Sequence, residues 1–497
     1  MLQTKGNFID GAWRIPSNPD GHITRANPSA TGQVVFEAAW SVSAVDEAVE
    51  AARRAQPAWD RLGFARRKQL LADFAEVLTR HKPRLARALA HETGKPMWEA
   101  LTEAGALSAK VKIMSDAGAA YTKHHYPEGV GGRVVHRPLG VLSVLGPFNF
   151  PLHLPNGHII PALLNGNTVV VKPSELTSGC MQLYMECAQE AGLPAGVLNM
   201  VLGAGAVGAA LAGHERVDGV LFTGSYNTGL AIKRATLEQH WKLLALEMGG
   251  KNTSIVLEDA HIEQVVHEVA LAAFLTCGQR CSATSRLIVR REILDQVTNR
   301  LSQIARSVTT GMQDEDVFMG PLINRDAYDR FLAAQQDDEG GNLLRIVEGG
   351  AAREDLEGYF VRPAVWQVQD NSLPGGLHQT SEIFGPDLVL YAADSDEEAA
   401  RLANATEYGL AMSVFTADRA RFDALSYDLH AGILNWNRST AGASSALPFG
   451  GVKKSGNHRP AAVTAGLYCT YPQAQLLNEP GWDSAKGDTM PLKLLKG

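Results

Sequence analysis

Three stretches of the chain carry residue types that can make and break bonds at a carbonyl carbon. Thr276-Cys-Gly-Gln-Arg-Cys281 places Cys281 after a glycine turn and an arginine. A thiol on such a loop is accessible, and a neighbouring cation or backbone N–H groups would favour the attacking thiolate. A buried filler is the bland alternative for any cysteine. Cys277, in the same stretch, raises a metal or disulfide reading, but no second cysteine pair or histidine pair completes a zinc set. In Leu246-Glu-Met-Gly-Gly-Lys-Asn252, Glu247 stands where the apolar run Leu243–Leu246 meets a Gly-Gly turn. A carboxylate flanked by Leu246 and Met248 would be partly desolvated and raised toward a general base, unless it is a solvated loop glutamate. Gly146-Pro-Phe-Asn149-Phe-Pro151 follows the apolar run VLSVL. It sets the Asn149 amide at the mouth of a sheet, where an N–H could stabilise an oxyanion, although alone it establishes only a turn.

Three other stretches suit an anionic ligand. Gly203-Ala-Gly205-Ala-Val-Gly208 matches the dinucleotide fingerprint literally, but Asp218 comes too early for its acidic partner and precedes the next strand. Phe222-Thr-Gly224-Ser225-Tyr-Asn-Thr-Gly229 runs from a strand through a turn into a helical pattern. Backbone N–H groups there, with the Ser225 hydroxyl, suit a diphosphate, and the plain alternative is an N-capped helix. Lys172-Pro-Ser174-Glu175 ends the apolar strand TVVV, and a lysine and carboxylate at a strand's carboxyl end could bind ribose hydroxyls.

The elements that must position these residues follow from the hydrophobic pattern. Residues 44–125 read as mainly helical, with Ala44, Val45, Ala48, Val49 and Ala52 at helical spacing and Pro57, Pro83 and Pro96 marking boundaries. From about residue 134, short β-rich runs appear at Val141–Leu145, Thr168–Val171, Val197–Leu202, Val220–Phe222 and Ser254–Leu257. Helical segments such as Met181–Ala191 and Gly205–Ala212 alternate with them. A second series has strands near Leu287–Val289, Leu388–Tyr391, Ser413–Phe415 and Gly432–Trp436. Strands alternating with helices imply parallel sheets and two α/β domains.

Composition narrows the function. The 497 residues are 45% hydrophobic and 20% charged, enough for large cores and incompatible with a disordered or coiled-coil chain. A net charge of −7 with no basic stripe argues against nucleic acid. The start MLQTKGNFIDGAW lacks the pattern of a signal peptide, and no apolar run is long enough to span a bilayer. With an odd count of 5 cysteines, a soluble cytoplasmic protein with reduced thiols is expected.

Taken in order, GPFNFP, KPSE, FTGS, LEMGGKN, the GQRC cysteine, EIFGP at 382–386 and PFGGVKKSG at 448–456 resemble the NAD(P)-dependent aldehyde dehydrogenase superfamily over nearly the whole chain. The resemblance implies that Cys281 is the nucleophile, that Asn149 and the Cys281 N–H hold the oxyanion, and that Glu247 activates the hydrolytic water. It implies that NAD is held by Lys172, Ser174 and Glu175 at the adenosine ribose, and by Gly224, Ser225 and Gly229 around the diphosphate. Gly205 would lie near the adenine, and Glu382 and Phe384 beside the nicotinamide ribose and ring. The Glu175 carboxylate would disfavour the 2′-phosphate of NADP. Within the superfamily, 153–164, Arg280 and 435–460 look most like the branch that oxidises a succinylated glutamate semialdehyde in arginine catabolism.

Two departures bear on the substrate. Thr276 stands where many members carry Asn, and Gly456-Asn-His-Arg459 replaces a GxGRE-like segment. Arg280, Arg459, His153 or His158 would then read a substrate carboxylate, unless they serve structural bonds. Another small or aliphatic aldehyde is the alternative substrate. A non-catalytic binding or scaffold protein is the alternative class, and a CoA-acylating enzyme is disfavoured by Glu247. The expected fold is a Rossmann-type NAD-binding domain (1–120 and 140–248), an α/β catalytic domain (249–447) and a small β oligomerisation flap (121–139 and 448–497). The family implies a homodimer or a dimer of dimers.

Overall fold

The computed structural model describes residues 2–477, and its short apolar runs build two seven-stranded sheets. The first contains β1 (Asn7–Ile9), β2 (Ala12–Arg14), β3 (Val141–Leu145), β4 (Thr168–Lys172), β5 (Leu198–Met200), β6 (Gly219–Gly224) and β7 (Leu243–Met248). Their order is β7-β6-β3-β4-β5-β1-β2, with β3 to β7 parallel and β1 antiparallel to both neighbours. Every residue of β3 and β4 is buried, as a parallel strand covered on both faces must be. Leu142, Val144, Val169 and Val171 pack with Phe74, Leu107, Ile160 and Tyr184 of the helices on one face. The alternate residues Val141, Leu145 and Val170 pack with Val45, Val49, Val207 and Leu211 on the other. From β3 the chain steps outward to β4 and β5, then returns across to β6 and β7. The sheet therefore has a switch point between β3 and β6, where a crevice opens at the strands' carboxyl ends.

The second sheet contains β8 (Asn252–Val256), β9 (Thr284–Arg290), β10 (Leu343–Val347), β11 (Ala364–Val368), β12 (Asp387–Ala393), β13 (Ala411–Phe415) and β14 (Ile433–Trp436), ordered β10-β11-β12-β9-β8-β13-β14. Only β10 and β11 pair antiparallel. The run expected at 254–257 thus opens the second sheet instead of ending the first. The apolar run at 243–246, read only as a lead into a turn, is the edge strand β7.

The helical reading of 44–125 resolves into α1 (Ala44–Arg61), α2 (Gly63–Arg80), α3 (Lys82–Thr93) and α4 (Met97–Ser115). Pro83 and Pro96 mark helix starts, but Pro57 lies inside α1. The lost backbone bond is tolerated because α1 is anchored before and after it by buried Ala48, Val49, Ala52 and Trp59. Later helices include α5 (His153–Leu164), α6 (Ser178–Glu190), α7 (Gly205–Gly213), α8 (Tyr226–Ala235) and α9 (Ile262–Phe274).

Residues 132–138 and 470–476 form a two-stranded antiparallel ribbon, paired from Gly132–Leu476 to Pro138–Thr470. Residues 448–462 lie elsewhere. Val452–Lys453 pairs with Tyr408–Gly409, and Pro448–Phe449 pairs with Ala461–Ala462. Within the same segment, a strap at 455–457 closes the free edge of β7: Met248 N donates to Ser455 O at 2.9 Å, and Asn457 accepts from Leu246 N and donates to Leu244 O. Residues 478–497, included in the expected flap, lie outside the described residues. Among the described residues no helix is long and apolar enough to cross a membrane.

Candidate active site

The loop that carries Cys281 leaves α9 through a tight turn. Thr276 and Cys277 adopt left-handed backbone conformations at φ 57° and 54°, and Gly278 follows at 69°. A side chain at Gly278 would collide with Gly385 O at 2.2 Å, so the loop presses directly on the Glu382–Pro386 segment. Phe384 in that segment is also left-handed, at φ 56°. Strained non-glycine backbone gathered on two touching loops is the pattern of a site over-determined by its surroundings. Cys277 is fully buried in the second core and packs as a filler.

Cys281 opens on a cavity of about 1420 Å³ between the two sheets. Burial, the Glu382 carboxylate and then the Glu247 carboxylate push its thiol up to about 12, while the N–H groups of Ser282 and Cys281 act in the opposite sense. The ligand-free thiol is therefore protonated at neutral pH. The expected neighbouring cation is absent because Arg280 turns away, donating to Glu99 Oε1 at 2.8 Å and to Thr276 Oγ1 at 2.7 Å. Glu247 lies in β7, held by the strap at 455–457, and lines the same cavity. It is buried, its Oε2 has no hydrogen-bond partner, and burial holds its carboxyl well above the ordinary range. It is not a solvated loop glutamate. Asn149 follows β3, is buried, and donates one amide hydrogen to Gln279 O at 2.9 Å. The other amide hydrogen is left for a ligand.

The cavity extends to the carboxyl ends of β4 and β6, where Lys172, Ser174, Glu175, Gly205, Gly224 and Ser225 line it. Lys172 Nζ donates to Pro173 O at 2.8 Å and to Glu175 Oε2 at 3.3 Å, and burial lowers its pKa. Ser174 caps the short turn Glu175–Thr177 through Leu176 N. Ser225 caps α8 through Thr228 N and also faces the cavity, so both readings of that hydroxyl hold. Gly229 does not line the cavity. A side chain there would meet Met248 Sδ at 2.5 Å, so its role is close packing of α8 on β7. A Cβ on Gly205 would meet nothing within 4 Å, which leaves open space at the start of α7. Asp218, the misplaced acid of the literal fingerprint, sits at the opposite end of the strands, accepting from Val141 N at 2.7 Å and pairing with Arg53. Glu382 accepts from Gly250 N at 2.9 Å and is raised by burial to about 7, and Phe384 meets Phe148 edge-on at 5.8 Å. Strand ends, an open helix start and a lysine–carboxylate pair around one elongated cavity fit a dinucleotide.

The four residues expected to read a carboxylate fare differently. Arg459 is exposed, donates to His458 O, and does not line the cavity. In that segment it is Asn457 that is used, as the clamp on β7. His158 lines the cavity but is buried, with Nδ1 on Tyr468 Oη at 2.8 Å and Nε2 on Thr223 Oγ1 at 3.2 Å. Burial and Lys110 lower its pKa to about 3, so it carries no charge. Burial, Lys110 and Lys95 likewise hold His153 well below the usual imidazole range. Arg280 reaches the cavity wall already paired with Glu99. Sequence reasoning missed Lys110, Glu99 and Glu103, which line the cavity from one face of α4. Their spacing of four and seven was the available signal.

Residues 13–473 match the aldehyde dehydrogenase family. The chain is 42% identical over 481 residues to N-succinylglutamate 5-semialdehyde dehydrogenase of Chromobacterium violaceum, covering 94% of this chain and 96% of that protein. The enzyme of the same name from Serratia proteamaculans is 42% identical over 488 residues, covering 95% and 96%. A cysteine-to-alanine variant of aldehyde dehydrogenase C from Pseudomonas syringae, solved with NAD+ and octanal, superposes with a TM-score of 0.90 at 31% identity, covering 96% of this chain and 97% of that one. Agreement that runs through both sheets, in sequence and in fold alike, makes this chain a member of the aldehyde dehydrogenase family.

Proposed function

We propose that the protein oxidises N-succinylglutamate 5-semialdehyde to N-succinylglutamate with NAD, a step of arginine catabolism. The names of relatives 42% identical over nearly their full length support the substrate. One observation carries the chemistry: Cys281, Glu247 and Asn149 open on the same cavity as Lys172, Glu175, Ser225 and Glu382.

In this reading Cys281 Sγ bonds to the aldehyde carbon as the carbonyl pair moves to oxygen. Its proton must leave, and Glu247 and Glu382, whose charges act on the thiol, line the same cavity. The free amide hydrogen of Asn149 and the Cys281 N–H hold the oxyanion of the thiohemiacetal. NAD, when bound, supplies the hydride acceptor that takes the thiohemiacetal to the thioester. Glu247 then removes a proton from the water that attacks the thioester, releasing the acid and restoring the thiol. Lys172, Ser174 and Glu175 bind the adenosine ribose, Gly224 and Ser225 the diphosphate, and Glu382 the nicotinamide ribose with Phe384 beside the ring. Gly205 leaves room for the adenine. A carboxylate at Glu175 opposes a 2′-phosphate, which favours NAD over NADP.

We assign residues 1–120 and 140–248 to cofactor binding, 249–447 to catalysis, and the 132–138/470–476 ribbon to assembly as a homodimer or dimer of dimers. The exposed Tyr471 and Leu476 on that ribbon support the last assignment. Five free cysteines suit a reducing cytoplasm. A panel of neutral, mono- and dicarboxylic aldehydes of equal length, followed by NADH absorbance, tests the substrate. The dicarboxylic semialdehyde is expected to exceed the neutral aldehyde by about 100-fold in kcat/KM. Equal values overturn the substrate and leave the enzyme class standing.

A further inference from the structure

The α4 wall of the cavity carries an unbalanced charge. Lys95, which lies behind the wall and does not line the cavity, and Arg280, which does, each have a carboxylate, Glu103 at 2.7 Å and Glu99 at 2.8 Å. Lys110 lines the same wall and is only 5% exposed, yet among the described residues it has no acidic partner. Three cations thus face two carboxylates. Its one polar neighbour is His153, whose Nε2 lies 3.4 Å from Lys110 Nζ. Accepting from the ammonium fixes the imidazole proton on Nδ1, and that buried atom has no partner either. Two ammonium hydrogens and one imidazole N–H are therefore left without acceptors among the described residues. A buried cation is costly unless a counter-charge reaches it, and here the open side is the cavity.

Gly157 creates the space that the lysine occupies. A Cβ built on it would lie 2.7 Å from Lys110 Nζ and 3.6 Å from its Cδ and Cε. Gly157 is inside α5, where glycine weakens a helix, so its presence there is explained by the approach of this side chain.

The geometry points to Lys110 Nζ, oriented by His153 Nε2, as the group that binds a substrate carboxylate remote from the aldehyde. This subsite rests on the proposed dicarboxylic substrate and names the residues that would select it. Arg280 and Glu99 form its neutral neighbouring wall. The lysine supplies the charge and two free ammonium hydrogens, and the imidazole, by accepting the third, fixes their direction.

The test uses the full-length enzyme and its Lys110→Met and Gly157→Ala variants. Methionine keeps the length of the stem and removes an unpaired buried charge, so folding is expected to survive. With N-succinylglutamate 5-semialdehyde, Lys110→Met should raise KM about 10- to 100-fold with kcat nearly unchanged. Hexanal should be oxidised as before. Gly157→Ala, which keeps the charge but displaces it, should give a smaller rise in the same KM. Glutarate inhibition of hexanal oxidation is the second arm, and Lys110→Met should weaken it by a similar factor. Equal losses with both aldehydes, or unchanged KM and glutarate inhibition, would overturn the subsite. A wild-type enzyme indifferent to the semialdehyde but inhibited by glutarate through Lys110 would overturn the substrate and keep the subsite.

Discussion

The two ends of the central cavity are built by different means. At the end assigned to the adenosine and diphosphate the polar contacts are local: Lys172 meets Glu175, and Ser225 meets Thr228, each three residues along the chain. At the substrate end they are remote. Arg280 pairs with Glu99 across 181 residues, His158 with Tyr468 across 310, and Lys110 meets His153 across 43. Strand-end geometry positions the first set regardless of what the rest of the chain does. The second set exists only once helices, loops and the carboxyl-terminal strap have come together. The far end of the cavity is served by local construction, and the reacting end by long-range construction.

The largest effect that sharpens this contrast is removal of the sulfur. Cys281→Ala should reduce NADH production about 10³-fold or more while leaving NAD affinity, measured by calorimetry, unchanged. A large loss of NAD affinity would show that the two ends are not separable. Glu247→Gln comes next. It should cut steady-state turnover about 10²- to 10⁴-fold yet leave a burst of one NADH per active site, because acylation outlives hydrolysis. Absence of the burst would move Glu247 from hydrolysis to activation of the thiol. A smaller change is expected from Glu175→Ala, which should raise kcat/KM for NADP relative to NAD about tenfold without altering aldehyde selectivity.

Titration of Glu247 supplies the smallest effects. Because burial raises its pKa and hydrolysis needs the carboxylate, the rising limb of the kcat–pH profile should lie above the ordinary carboxylate range and flatten in Glu247→Gln. An acid raised on folding stabilises the fold fully below its unfolded pKa, and this contribution is lost as pH rises through the folded value. Glu247→Gln should therefore melt about 1–3 °C above wild type at pH 8, with the gap closing below about pH 4.5. A gap independent of pH would mean that packing, not charge, sets the difference.

The same contrast explains what the sequence revealed. The parallel strands were legible because β3 and β4 are continuous apolar runs bounded by glycine and proline. Lys172, Glu175 and Ser225 were legible because they sit directly after such runs. The strands at 7–14 were missed because each is only three residues long, β1 gaining its stability from pairing with β5 and β2 from pairing with β1. Lys110 was invisible because a lysine within a helical pattern reads as a solvated face; only Gly157, on another helix, reveals its burial. Arg280 was noticed for its adjacency to Cys281, but adjacency in the chain says nothing about where a long side chain turns. Arg459 drew attention by its charge, although Asn457 in the same segment makes the contacts that hold Glu247.

That clamp has a consequence for the order in which the protein acquires its abilities. Synthesis proceeds from the amino terminus, so Cys281 leaves the ribosome well before Ser455 and Asn457 are made. Until then β7 has an open edge and its glutamate lacks the strap. A nascent or truncated chain would own a sulfur nucleophile without a firmly seated base, and the capacity to let go of its product is gained well after the capacity to capture its substrate.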